Sequence, residues 1–446
     1  MRRVMLAEIC HILNIQKKVP TNTPTGYSTD TRTLKKGELY IALKGERVDG
    51  HDFLEQAGKQ GACAALVSSS YQGGDFGQIL LPVPDPLKAL QEIARKTLQK
   101  HPVRIAAVTG SLGKTTTKEF LKTFLSTKYR VSASPGNSNS QVGIPLAILN
   151  HSDGTEDILV LEMGMTHPGQ IAGLVDIAPP ELALITTAAL VHAWNFDSLE
   201  DIMRAKAEIL AHPKTKCGIV NYDILKLDDV KKTGTCQKVS FSVVDLHADY
   251  FMEVKGNTLI VKEKGKTTEL GTLDLPGNHN VQNMLTAIAA ARYFDLSWEE
   301  IKSSIPTLVL PERRLQLVKK NGMVIFNDAY NAAELSVKSA LESLPKPEGN
   351  GTKIAVLGSM MELGKFSDGC HYRVGEHALK YVEKVFCLGE ETRPIYNLWM
   401  KEEKHAEIFT DRQSLVYSLK KAVKPNDVIL LKGSRSKELW KVVDEI

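Results

Sequence analysis

The chain has 446 residues, with 56 basic and 52 acidic side chains, a net charge of +4, 24% charged and 43% hydrophobic residues. This is the make-up of an ordinary folded protein, and length alone suggests about three domains. The charges are too evenly balanced to point to nucleic acid, although basic residues can still gather around a phosphate-rich ligand. There is no apolar run of about 18 residues, so no membrane span is expected.

The first residues, Met1 to Lys18, lack the apolar core and small-residue cleavage site of a leader. Cys10, Cys63, Cys217, Cys236, Cys370 and Cys387 include no C-x-x-C pair, which argues against a zinc or redox motif. They read as free thiols in a reducing, cytoplasmic setting.

In chain order, residues 1–98 read as a small mixed α/β domain. A strand is expected over Gly37–Leu43, a helix over Asp52–Ala62 and a second strand over Ala64–Val67, before a polar, glycine-containing break at 68–77. From there to 308 the rhythm is strand, loop, helix. Ile105–Thr109, Ile158–Leu161 and Leu182–Thr186 are short unpatterned apolar strands, the signature of a parallel sheet covered on both faces. Residues 248–275 break that rhythm with turn signals at Gly256-Asn257 and Gly265-Lys266, which predicts an antiparallel meander. A helix over Val281–Tyr293 leads to a linker bracketed by Pro306 and Pro311. Residues 309–446 then carry strand-like runs at 324–326, 354–357, 385–388 and 428–431, a second doubly wound, Rossmann-like α/β unit.

The strongest chemical signal is Thr109-Gly110-Ser111-Leu112-Gly113-Lys114-Thr115-Thr116-Thr117, between the strand ending at Thr109 and a helix with apolar positions Phe120, Leu121, Phe124 and Leu125. Glycines let such a loop wrap tightly so that backbone N–H groups point at phosphate oxygens, and the helix N-terminus adds its positive end. Lys114 is placed to reach β- and γ-phosphates and the Thr115 hydroxyl to ligate Mg²⁺. Val108 stands where the general phosphate loop has its first glycine. Glu162, ending the strand 158–161, falls on the carboxyl-end crest where ligands of open parallel sheets bind, and His192 can reach the same crest.

This loop resembles that of the Mur ligase and folylpolyglutamate synthetase superfamily, and further segments extend the resemblance over the whole chain. Gly136-Asn137-Ser138-Asn139 with Gly143-Ile144-Pro145, Glu162-Met163-Gly164 with His167-Pro168-Gly169, Ala205-Lys206-Ala207-Glu208-Ile209, and Asn278-His279-Asn280-Val281-Gln282-Asn283 are similar to its motifs. Asn327-Asp328-Ala329-Tyr330-Asn331-Ala332, Val356 to Gly364 and Lys432-Gly433-Ser434-Arg435 resemble the MurF type of Mur ligase. The D-N-P-[RK] signature of the ligases that add the third amino acid is missing. Departures are Ser359 where the type has Asp, the sequence Thr186 to Val191 before His192, and Ala333-Glu334.

The resemblance implies an ATP-dependent amide ligase with an acyl-phosphate intermediate, joining D-alanyl-D-alanine to a UDP-linked muramoyl tripeptide. It makes Lys114, His192, Lys206 and Arg314 catalytic. It assigns metal contacts to Thr115, Glu162, His192 and Lys206, with a pair of Mg²⁺ ions and Lys206 carbamylated by CO₂. Nucleotide contacts fall on Gly110, Gly113, Thr116, Asn137, His279, Asn283 and Asp328, with Arg313 competing with Arg314 for the γ-phosphate. Substrate contacts fall on Ser28, Asp30, Arg32, Asp49 and His51 for the UDP end. Tyr330, Asn331, Lys432, Ser434 and Arg435 are expected on the peptide side.

Catalysis would need domain closure, from an open apo form in which Arg314 lies far from Lys114. A monomer without nucleic-acid or membrane partners is expected. The alternatives are a third-residue ligase, a folylpolyglutamate synthetase-like ligase, and a catalytically silent nucleotide-binding scaffold.

Overall fold

The computed structural model describes residues 4–191, 193–272 and 276–446. Three sheets organise the chain into three domains. The first has four parallel strands in sequence order: β1 (Tyr27–Ser28), β2 (Leu39–Ile41), β3 (Ala64–Ser68) and β4 (Ile79–Val83). The expected strands at 37–43 and 64–67 are β2 and β3. The strand β4 escaped prediction because Pro82 interrupts it, a residue that a strand tolerates at a sheet edge.

The second sheet has nine strands: β5 (Arg104–Thr109), β6 (Val131–Ala133), β7 (Ile158–Glu162), β8 (Leu182–Ile185), β9 (Cys217–Asn221), β10 (Gln237–Ser242), β11 (Tyr250–Lys255), β12 (Thr258–Glu263) and β13 (Lys266–Thr272). Their order is β13-β12-β11-β10-β9-β8-β5-β7-β6. Everything from β6 to β11 is parallel, and β11, β12 and β13 form the antiparallel meander that the turn signals predict. The last three residues of the expected meander, 273–275, lie outside the described residues. Strands β5, β7 and β8 are buried on both faces. This explains why they read as plain apolar runs instead of alternating ones. One face packs on the helices Lys114–Leu125 and Asn278–Tyr293. The other shares an apolar core with the N-terminal sheet through the helix Pro86–Lys100.

The third sheet has six strands: β14 (Gln316–Lys320), β15 (Met323–Asn327), β16 (Lys353–Gly358), β17 (Lys384–Leu388), β18 (His405–Phe409) and β19 (Val428–Lys432), in the order β14-β15-β19-β16-β17-β18. It is parallel except for the β14–β15 hairpin. Every cysteine is a free thiol, and all but Cys63 are buried. No described helix is long and apolar enough to cross a membrane.

The second and third domains meet along an apolar seam. Ala193, Phe196, Ile202 and Ala205 of the central domain belong to the same buried cluster as Leu315, Phe326 and Ala332 of the third. Across this seam Trp194 N donates to Glu362 O at 3.1 Å, and Lys365 pairs with Asp197 at 2.9 Å. The chain is therefore closed, and Arg314 lines the same cavity as Lys114. Burial of the apolar seam favours this closed arrangement, whereas the distant Arg314 was expected of the ligand-free enzyme. Phe196→Ala removes the largest buried apolar side chain that the central domain brings to the seam, at a cost of about 3 kcal/mol. A larger radius of gyration by small-angle scattering is expected for that variant, and an unchanged one would contradict the seam's role.

Candidate active site

The phosphate loop joins β5 to the helix Lys114–Leu125 and is stitched to the segment after β8. Ser111 N donates to Thr187 O at 2.6 Å, the Ser111 hydroxyl donates to Ala189 O and accepts from Ala189 N, and the Thr186 hydroxyl donates to Leu112 O at 2.6 Å. Gly113 has a left-handed backbone (φ 81°), and a Cβ there would lie 2.1 Å from Asn283 Oδ1. Only glycine fits both constraints. The Lys114 ammonium folds over the loop and donates to Gly110 O at 2.7 Å. Burial depresses its pKa, the nearby Arg314 charge adds to this, and Glu162 works the other way.

Glu162 closes β7 and is buried. Its two carboxylate oxygens accept from the Thr115 hydroxyl at 2.8 Å and from Asn139 Nδ2 at 2.7 Å. Behind it, the fully buried Lys118 donates to Ser134 O and Gly136 O at 2.6 and 2.7 Å. The chain that carries Asn137 and Asn139 is thereby tied to the loop helix. An anionic carboxylate beside a hydroxyl, facing a site for phosphates, is the oxygen donor set that Mg²⁺ takes, and that ion keeps most of its waters. The described residues therefore fit Mg²⁺, although they contain no cluster of three His, Cys, Asp or Glu.

Lys206 lies in the helix Leu199–Ala207, 5% exposed, and lines the same cavity as Lys114 and Glu162. Burial, with the Lys114 charge second, drives its pKa well below the ordinary lysine value. No carboxylate among the described residues pairs with it. Two residues on, Glu208 accepts from Gly169 N and Ala172 N at 2.7 and 3.0 Å. It caps the helix Gln170–Ile177, whose N-terminal dipole favours a carboxylate.

The third domain supplies the opposite wall of this cavity of about 590 Å³: Arg314, Tyr330, Asn331, Met361, Ser434 and Arg435. The rivalry of the two arginines resolves in space. Arg313 lies over the Trp440 ring at 4.4 Å, whereas Arg314 lies over Tyr330 at 4.2 Å and faces the cavity. Lys432 is corrected. It is 2% exposed and pairs with Asp328 Oδ2 at 2.6 Å. It also donates to Asn331 O and Asp328 O, which leaves no free proton for a substrate carboxylate. The other Asp328 oxygen accepts from Leu315 N at 3.1 Å.

Several expected contacts do not line the main cavity. Thr116 is buried in the loop helix. Asn283 packs behind Gly113 and donates to Asn280 Oδ1. His279 sits within range of the Asp328, Lys432 and Arg314 charges. Burial lowers its pKa to about 4, and its buried Nδ1 has no partner among the described residues. In the first domain, Asp30 and the exposed Arg32 form a forked pair, and the Ser28 hydroxyl donates to Asp30 O. Asp49 accepts from both His51 N and His51 Nδ1, while His51 Nε2 accepts from Ser68 N. His192 lies outside the described residues.

Sequence reasoning left out Asn139, Lys118 and Glu208. The second asparagine of the Gly136–Asn139 motif and the glutamate of Ala205–Ile209 were visible as motif members, but nothing in spacing shows which atoms they hold. At the departure, Ser359, the structure shows a hydrogen-bonded hydroxyl. Its buried hydroxyl donates to Glu391 at 2.6 Å, and Glu391 lies 3.7 Å from Lys437. Glu391, just after β17, thus places a carboxylate beside Ser359.

Three family models match the chain: the Mur ligase family catalytic domain over residues 23–97, the Mur ligase middle domain over 108–291, and the Mur ligase glutamate ligase domain over 313–435. The UDP-N-acetylmuramoyl-tripeptide–D-alanyl-D-alanine ligase of Bacillus subtilis is 35% identical over 430 residues, covering 94% of this chain and 93% of that protein. Crystalline MurF from Acinetobacter baumannii superimposes with a TM-score of 0.86 at 26% identity, covering 99% of this chain and 98% of the other. MurF ligase from Thermotoga maritima, solved in complex with ADP, gives 0.79 at 28% identity over 94% and 96% of the two chains. The chain belongs to the Mur ligase family, on its MurF branch.

Proposed function

We propose that this protein joins D-alanyl-D-alanine to a UDP-N-acetylmuramoyl tripeptide with consumption of ATP, the ligation for which its relatives are named. The observation that carries the reading is a single cavity bringing Lys114, Glu162 and Lys206 of one domain against Arg314, Ser434 and Arg435 of another. An unactivated carboxylate and an amine do not condense in water. Attack of the tripeptide carboxylate on the γ-phosphorus forms an acyl–O–P bond and breaks the bond to ADP. The dipeptide amine then attacks the acyl carbon, the C–O bond to phosphate breaks, and the amine proton passes to a base.

The first step brings two anions together, so the site must neutralise charge and hold an in-line geometry. Lys114 and Arg314 supply fixed positive charge, and Tyr330 steers Arg314 by stacking under it. Thr115 and Glu162 would hold Mg²⁺, which when bound screens phosphate charge. Asn137 and the loop glycines, Gly110 and Gly113, fit the phosphate side. His279 with its unpartnered Nδ1, together with Asn283 and Asp328, fits the nucleoside side. Ser434 and Arg435 suit the dipeptide carboxylate, for which the arginine fork is well shaped. Ser28, Asp30, Arg32, Asp49 and His51 would form the UDP end. His192 keeps its proposed role on the motif alone.

Lys206 completes the reading. A buried amine held neutral can attack CO₂, forming an N–C bond and releasing one proton, and the resulting carbamate is an anion able to help hold a second Mg²⁺. Because burial lowers the amine pKa, the neutral form prevails above that lowered value. Activity that depends on the carbamate is therefore lost as pH falls through it.

Two outcomes test the proposal. Given UDP-muramoyl tripeptide, ATP and Mg²⁺, the enzyme should form the pentapeptide product by mass with D-alanyl-D-alanine and no product with single amino acids. Absence of ATP consumption that depends on both co-substrates would favour the silent scaffold. Lys206→Arg, whose guanidinium cannot form a stable carbamate, should lower kcat about a hundredfold. It should also remove the carbamate carbon signal seen by NMR with isotope-labelled bicarbonate. Full activity in that variant would refute the carbamate.

A further inference from the structure

The C-terminal wall of the cavity depends on a loop that has no regular structure to hold it. The loop following β16, residues 359–363, supplies Met361 and Glu362 to the cavity. Glu362 has φ 63°, a left-handed conformation that residues with side chains adopt at a cost. The shape must therefore be imposed from outside.

Two side chains impose it on consecutive amides. Met360 N donates to His371 Nε2 at 3.0 Å, and Met361 N donates to the Ser434 hydroxyl at 2.9 Å. His371 lies in the helix Ser367–Ala378 and is fully buried. Its other ring nitrogen, Nδ1, contacts Ser367 O at 2.8 Å. A carbonyl oxygen only accepts and a backbone N–H only donates. The ring must therefore carry its proton on Nδ1 and present a lone pair at Nε2. A third tie leaves the loop for the other domain, since Glu362 O accepts from Trp194 N.

We infer that His371, as the neutral Nδ1–H tautomer, is a positioning residue for the dipeptide side of the reaction: it holds the 359–363 loop so that Met361, Glu362 and the neighbouring Ser434 and Arg435 form a fixed wall. It touches no reacting atom. Without its lone pair the Met360 N–H is buried and unsatisfied, and the loop must move to find another acceptor. Burial keeps the ring in its neutral form, against the opposing pull of the Ser367 carbonyl and the Glu391 and Asp368 charges.

The inference rests on the proposed function, and its test separates the two. If the parent enzyme shows no dipeptide-dependent ligation, the function reading fails. If the parent is active, variants decide the role of His371. His371→Phe fills the space without an acceptor, whereas His371→Gln restores one near the Nε2 position. The Phe variant is expected to raise KM for D-alanyl-D-alanine at least tenfold with KM for ATP within about twofold, and the Gln variant to recover to within about threefold of the parent. An unchanged dipeptide KM in the Phe variant, or equal rises in both KM values, would overturn the inference. Amide exchange in the unaltered protein gives a reading that needs no variant. Met360 and Met361 should exchange as slowly as the amides of β16, and exchange at the rate of an exposed loop would overturn it.

Discussion

A buried carboxylate, Glu162, to which no described cationic side chain is bonded, sets the terms for the whole site. Glu162 is 1% exposed, and the partners described for it are a hydroxyl and an amide. An anion so placed is expensive unless positive charge comes to it. Lys114, close enough to interact electrostatically, is turned onto the loop carbonyls instead. On the proposed reading, positive charge would arrive with the ligand: Mg²⁺ would sit at Glu162 and Thr115, and phosphates would draw Lys114 off Gly110 O. Lys118 and Asn139 hold the carboxylate's surroundings in place for that exchange.

Two cationic side chains face this carboxylate region from different domains, and one buried amine adjoins them. Lys114, Arg314 and Lys206 would repel one another if all were charged, and the pKa depressions at Lys114 and Lys206 express that crowding along with burial. The proposed carbamate on Lys206 would turn the third member of the group into an anion and relieve it. The seam around Phe196 brings Arg314 into the group. Domain closure and charge balance are therefore one problem.

Much of this arrangement was legible before any coordinates. The loop from Gly110 to Thr115, the strand-end Glu162 and the helix-borne Lys206 stand together, because strand–loop–helix order fixes where such residues emerge on a parallel sheet. The antiparallel meander was legible from its turn glycines. What could not be read was long-range pairing. Lys432 looks like a basic residue awaiting a carboxylate, and it has one, but the carboxylate is Asp328 from another strand end. Whether Arg313 or Arg314 faced the cavity depended on left-handed backbone at Arg313 and Leu315 (φ 60° and 50°) that no periodicity announces. The first sheet's fourth strand was hidden by its own proline.

A crystal structure with a non-hydrolysable ATP analogue and Mn²⁺ in place of Mg²⁺, located by its anomalous signal, tests the account at its centre. It should show the metal about 2.1 Å from a Glu162 oxygen and from Thr115 Oγ1, with Lys114 moved from Gly110 O to the terminal phosphates and Lys206 facing the same cavity. A metal bound elsewhere, with Glu162 still held only by Thr115 and Asn139, would contradict it.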